Sequence, residues 1–295
     1  MTQTPPPKPA KPNMHRLWST SVFACKADPR FSYSHHVPPS FDEAPSEHTL
    51  IVAVHGTGRG HAAYRDAFTP FARYNRCVVL APLFPVGVLG DDNADGYKYL
   101  SEGDIRYDRV LLAMIDELGQ ALGVTFGKIL LFGFSGGGHF AHRFFYLHPE
   151  RLAGVSIGAP GGVTRIDDTR DFWLGTRDFE ARFGKPLDLD AMRQVPVQLV
   201  VGACDVEEFT YPPGFAAFVE GMGDIGKNRV ERNALLMTNY QAHGLNVLQT
   251  IVPKVAHDGL KVIPSVEDFF LGVLRRRPGL SNKGRTEPSF GGAGG

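Results

Sequence analysis

The sequence predicts an α/β fold: one domain around a mostly parallel central sheet of about eight strands, with helices on both faces. Three observations point there. Apolar runs of four to eight residues, rich in Val, Ile and Leu, alternate with segments of helical periodicity, which is a βαβ rhythm. The runs are continuously apolar rather than alternating, as expected of strands buried on both faces of a parallel sheet. At 295 residues the chain is long enough for one large core.

The elements follow in order. Residues 1–13 are Pro-rich with little apolar content and are expected to be disordered. SVFACKA and FSYSHHV, separated by Asp28, Pro29 and Arg30, predict two antiparallel edge strands joined by a turn. The sheet then continues through TLIVAVHG, CVVLAPLF, KILLFGFS, LAGVSIGAP, VPVQLVVG and NVLQTIVP. Helices are expected over about 61–75, 104–122, 137–149, 228–243 and 260–276, and right-handed crossovers place them on both sides of the sheet. Residues 162–194 break the rhythm, carry Phe172, Trp173, Phe179 and Phe183 without a strand signal, and predict a short cap insertion. The domain therefore runs over 14–277, and the tail 278–295 (GLSNKGRTEPSFGGAGG after Pro278) is expected to be disordered.

Composition excludes several classes. With 31 Lys plus Arg against 31 Asp plus Glu there is no global field to attract nucleic acid, and a small-molecule substrate fits better. Cys25, Cys77 and Cys204 are odd in number and far apart, which argues against a disulfide framework and a zinc cluster; they read as buried thiols in a reducing compartment. The first residues lack the apolar run of a secretory signal, and no stretch approaches the roughly 18 apolar residues of a spanning helix, so a cytoplasmic location without a membrane role is expected. Oligomeric state is not legible.

Gly133-Phe134-Ser135-Gly136-Gly137 carries the chemistry. It stands between the strand KILLF and a helix, where a sharp turn lifts a serine hydroxyl above the sheet and crowds out side chains two residues to either side. The same turn aims the Gly136 amide, at the positive end of the following helix, toward a developing oxyanion. A serine needs a base to take its proton. Of the 11 histidines, His257 in VAHDG lies between the last predicted strand and the last helix, at the carboxyl edge of the sheet. An imidazole base needs a carboxylate to fix its tautomer; Asp205, just past VPVQLVVGAC, is the best candidate, with Glu207 and Glu208 as competitors. The second oxyanion donor is assigned to the backbone amide of Thr57 in His55-Gly56-Thr57-Gly58-Arg59-Gly60. A dinucleotide loop is rejected there, because the spacing is Gly-X-Gly-X-Gly and CVVLAPLF does not end in the acid that binds a ribose.

With HGTG, GFSGG, the acid at GACD and the histidine at VAHDG in that order, residues 20–276 resemble the α/β-hydrolase superfamily, and within it bacterial esterases of the polyhydroxyalkanoate depolymerase and feruloyl esterase type. The resemblance implies the α/β-hydrolase fold and a serine esterase that cleaves a small carboxylic ester through an acyl-enzyme, with Ser135, Asp205 and His257 catalytic, Gly136 and Thr57 forming the oxyanion hole, and no metal or cofactor. HGTG departs from the HGGG of many esterases. An amidase or peptidase using the same triad is the alternative within enzymes, and a non-catalytic binding module is the alternative outside them. His139 and His142, three apart on a helix, are read as packing rather than as metal ligands. In the aspartate-rich segment 90–108, Tyr97, Tyr99 and Tyr107 are candidates to line the pocket, and Trp173 of the cap is a further substrate-binding candidate.

Overall fold

The structure is a computed structural model that describes residues 13–276, apart from 17, 21, 214–217 and 221. The N-terminal Pro-rich segment up to residue 12 and the tail 278–295 lie outside the described residues. The strands are β1 (Phe23–Ala24), β2 (Ser32–His36), β3 (Thr49–Val54), β4 (Cys77–Leu83), β5 (Ser101–Glu102), β6 (Ile105–Arg106), β7 (Ile129–Phe134), β8 (Leu152–Gly158), β9 (Val197–Gly202) and β10 (Val247–Val252). The α-helices are α1 (His61–Tyr74), α2 (Tyr107–Leu122), α3 (Gly136–Leu147), α4 (Phe179–Phe183), α5 (Leu189–Arg193), α6 (Arg229–Ala242) and α7 (Ile263–Arg275).

Eight strands form one sheet in the order β1-β2-β4-β3-β7-β8-β9-β10. The pairs β1/β2 and β2/β4 are antiparallel, and every pair from β4 to β10 is parallel. Although the runs are mostly apolar, alternate residues serve two different cores, because successive side chains leave opposite faces. Leu50, Val52, Val54 and Leu131 join Leu111, Phe140, Phe144 and Leu236 on the face covered by α2, α3 and α6. Ile51, Ala53, Leu130 and Phe132 meet Phe68 and Phe270 on the face covered by α1 and α7.

Helix α2, strand β10 and Cys204 differ from expectation. Helix α2 starts at Tyr107 rather than near 104, because Gly103, at φ +56°, turns residues 101–106 into the β5/β6 hairpin. Strand β10 is half exposed rather than buried on both faces, with Leu248 and Ile251 open to solvent: it is an edge strand with β9 as its one neighbour. Cys204 is exposed, unlike the buried Cys25 and Cys77.

The chain leaves β3 toward β4 on one side and returns to β7 on the other. Loops following two adjacent parallel strands then open in opposite directions, which creates a crevice at their carboxyl ends. The segment 55–60 after β3 and the turn at Ser135 after β7 meet there.

Candidate active site

Ser135 joins β7 to α3 at φ 57° and ψ −114°, a left-handed backbone that a side chain other than glycine adopts only under constraint. The constraint is visible. The Ser135 amide donates to the Gly158 carbonyl at 2.8 Å, and a Cβ at Gly133 would collide with the Gly137 carbonyl, as one at Gly137 would with the Val54 carbonyl. Both glycines are required by close backbone approach.

His257 follows β10 and reaches across β8 and β9 to this turn. Its Nε2 lies 2.9 Å from Ser135 Oγ and its Nδ1 lies 2.6 Å from Asp205 Oδ2. With the Nδ1 proton donated to the carboxylate, Nε2 is left to accept from the serine hydroxyl. The imidazole leans on Phe134 at 4.9 Å between ring centroids, so the variable residue of the Gly-X-Ser motif also positions the histidine. Asp205 is 2% exposed, in a turn closed by its own amide on the Gly202 carbonyl at 3.1 Å. Glu207 and Glu208, two and three residues on, point into solvent. The sequence candidates Ser135, His257 and Asp205 thus form one hydrogen-bonded chain.

The Thr57 loop is fixed beside it. Gly56 lies against Ser135, and Arg59, itself at φ 56°, donates to the carbonyls of Thr57, Phe84 and Ala94 at 2.6, 3.2 and 2.7 Å. His55 donates through Nδ1 to the Gly56 carbonyl at 2.8 Å and accepts the Phe84 amide at 3.0 Å. Burial pushes its pKa down to about 3, which keeps Nε2 an acceptor.

Several solved structures share this overall shape. The poly(3-hydroxybutyrate) depolymerase LpqC of Bordetella parapertussis superposes with a TM-score of 0.68 at 19% identity, over 91% of this chain and 97% of that one. Poly(aspartic acid) hydrolase-1 of Sphingomonas sp. KT-1 gives 0.64 at 19% identity, over 81% and 92%. An S-formylglutathione hydrolase of Agrobacterium tumefaciens gives 0.57 at 17%, over 88% and 94%. The chain has the α/β-hydrolase fold. No protein-family model matches the sequence, and a search of curated proteins finds no match.

In this α/β-hydrolase fold the three loop tyrosines part company. Tyr97 is buried with its hydroxyl where a Gly136 Cβ would sit, and donates to the His55 carbonyl at 3.4 Å. Burial raises its pKa, so the phenol stays protonated. Tyr99 is half buried against Trp173 and His139. Tyr107 is not brought to Ser135: it is 1% exposed, packs on Phe31 and Phe84, and donates to Glu102. The helical stripe Tyr107, Val110, Leu111, Met114, Leu118 carries the signal for that burial. Trp173, expected at the substrate, is 5% exposed and packs over Gly162 among Tyr99, Tyr211 and Arg143.

His139 and His142 tie the start of the cap to α3. His139 Nε2 accepts the Gly162 amide at 3.0 Å, and His142 Nε2 accepts the Thr164 amide at 3.1 Å while Nδ1 donates to the Gly138 carbonyl. Burial holds both well below the ordinary imidazole pKa. Among the described residues no group of three His, Cys, Asp or Glu side chains could hold a metal, and no helix is long and apolar enough to cross a membrane. The sequence reading missed two arginines of α6. Arg232 donates to the carbonyls of Gly161, Phe209 and Gly226 and so ties three loops together, and Arg229 reaches the Asp205 carboxylate.

Proposed function

We propose that this chain is a serine esterase that hydrolyses a carboxylic ester of a small molecule through an acyl-enzyme. The observation that carries this reading is the chain Ser135–His257–Asp205 at the carboxyl edge of the sheet, with both imidazole nitrogens engaged at 2.9 and 2.6 Å. Those distances are within the range a general base needs to take a proton from a nucleophile.

The reaction runs in two halves. Ser135 Oγ attacks the ester carbonyl as His257 Nε2 takes its proton, and the amides of Gly136 and Thr57 receive the oxyanion. The imidazolium is stabilised by Asp205 and gives its proton to the departing alkoxide, which leaves as the alcohol. Water, deprotonated by His257, then attacks the acyl-enzyme and frees the acid and Ser135. Donors already in place at the oxyanion are worth roughly 3–4 kcal/mol each in such reactions. Neither half calls on a metal or a redox cofactor.

A fluorophosphonate probe and a panel of p-nitrophenyl esters and anilides test the reading. Wild type is expected to take up the probe and hydrolyse esters, and Ser135→Ala to do neither while keeping its melting temperature. Full labelling of Ser135→Ala would overturn the assignment, and turnover of anilides above esters would move the enzyme to the amidases.

A further inference from the structure

We propose that Arg229 is a positioning residue for the catalytic carboxylate: it holds Asp205 Oδ1 so that Oδ2 alone is presented to His257. The inference rests on the serine-esterase reading above.

The Asp205 side chain is only 1% exposed, and each oxygen has its own partner: His257 Nδ1 on Oδ2 at 2.6 Å and Arg229 Nη1 on Oδ1 at 3.1 Å. A buried carboxylate has to be paired, since a lone charge out of water costs several kcal/mol. A neutral imidazole does not neutralise it. Arg229 is the cation that meets it.

The arginine is itself built into position. Asn228 caps α6 by accepting the Glu231 amide at 3.0 Å, which fixes Arg229 in the first turn. The guanidinium lies 4.4 Å over the Phe209 ring, and Arg232 occupies the same ring at 3.9 Å, its own N–H groups committed to three carbonyls. Like charge on Arg232 and opposite charge on Asp205 both drive the Arg229 guanidinium toward the carboxylate. Its Nε is buried with no hydrogen-bond partner among the described residues, so the pose is kept at the cost of one N–H.

Two effects of the cation oppose each other. It offsets part of the pull of Asp205 on the imidazolium formed in the transition state, which on its own slows the reaction. It also stops the carboxylate from rotating about Cβ–Cγ, which keeps a 2.6 Å acceptor opposite Nδ1. The imidazole touches Oδ2 directly, whereas the guanidinium acts from the far oxygen, so the geometric effect dominates. Because Arg229 meets Asp205 through a single N–H and not a bidentate fork, an ammonium can replace it.

The test measures kcat and KM for p-nitrophenyl acetate, using full-length protein, for wild type, Arg229→Ala, Arg229→Lys, Arg229→Gln, Asp205→Asn and the double variant Arg229→Ala/Asp205→Asn. Arg229→Ala is expected to lower kcat by about 10- to 100-fold, the equivalent of one charge-assisted hydrogen bond, with KM within about twofold. Arg229→Lys should recover most of kcat, and added guanidinium should partly rescue Arg229→Ala. In the Asp205→Asn background the same change should cost less than about twofold, because the carboxylate it serves is gone. Full kcat in Arg229→Ala, or an equal loss with and without Asp205, overturns the inference. If Arg229→Ala fails to fold, the pair Arg229→Lys and Arg229→Gln decides, and equal kcat in the two overturns it. A wild type that takes up no fluorophosphonate and cleaves no ester overturns the esterase reading together with this inference, whereas an active wild type with an indifferent Arg229 overturns the inference alone.

Discussion

Trp173→Ala separates packing from substrate contact in the cap. The indole is 5% exposed, lies against Gly162, and has the rings of Tyr99 and Tyr211 at 6.0 and 6.1 Å between centroids. It is also one of three aromatic faces, with Tyr99 at 4.7 Å and Phe172 at 5.5 Å, around the guanidinium of Arg143. That arginine is fully buried, so burial lowers its pKa to about 10, and its bonds run to the Thr164 hydroxyl and the Lys98 carbonyl rather than to a carboxylate. Truncating a buried Trp costs about 3–5 kcal/mol, and a lost cation–π face places this site toward the upper end. At roughly 2.1 cal/mol/K per residue, a chain of 295 residues has an unfolding entropy of about 0.6 kcal/mol/K, so the melting temperature should fall by about 5–8 °C. The assay is a thermal melt beside kcat/KM across p-nitrophenyl esters from acetate to octanoate. The packing argument expects the melting temperature to drop and the order of the esters to stay. An unchanged melting temperature with a reordered ester series would refute it and put the indole in the pocket.

Two further predictions follow from the geometry. Asp205→Asn should lower kcat by about 10⁴ through the wrong imidazole tautomer, while Glu207→Gln and Glu208→Gln, both solvent-facing, stay near wild type; a larger loss in either glutamine variant would make that glutamate the acid. Stability should fall as pH drops from 6.5 toward 5, because burial holds His35 at about 4 and His55 at about 3, with His139 and His142 well below their ordinary value. In that window the unfolded chain binds protons that the folded chain refuses, so each group withdraws up to about 2 kcal/mol by pH 5, and none of that contribution changes above about pH 7. A melting temperature that stays flat between pH 7 and 5 would contradict it.

The fold, and the meeting of Ser135, Asp205 and His257 in one hydrogen-bonded chain, were legible in the sequence because their constraints are local. KILLF needs only its own apolar run to be a central strand, and Gly133 and Gly137 answer to a turn five residues long. Asp205 and His257 each follow a strand end at short range. Arg59, Arg229 and Arg232 were not legible for the opposite reason. A long flexible side chain at the start of a helix or in a turn looks like any solvated arginine until the fold shows which carbonyl or carboxylate lies within its reach. The role of Trp173 was not legible for another reason: an aromatic residue in an irregular segment reads the same whether it faces a cleft or the core. The edge position of β10 did have a signal, since two successive polar residues, Gln249 and Thr250, interrupt its apolar run, where β8 and β9 each carry one, Ser156 and Gln198.

Histidine shows how position, and not residue type, divides chemistry from scaffolding in this chain. His55, His139 and His142 each present a neutral ring nitrogen to a backbone amide, those of Phe84, Gly162 and Thr164. These amides belong to the segments that surround Ser135: the end of β4, and the start of the cap after β8. A protonated ring would offer an N–H to an N–H, so each contact depends on the burial that keeps the ring uncharged. His257 differs in that 30% of its side chain meets solvent and its Nδ1 faces a carboxylate. The neutral histidines hold the walls around Ser135 in place, and in the proposed reaction the one at the water's edge moves the proton. Acid would therefore act on those walls, since protonating the three buried rings would release the loops that they secure.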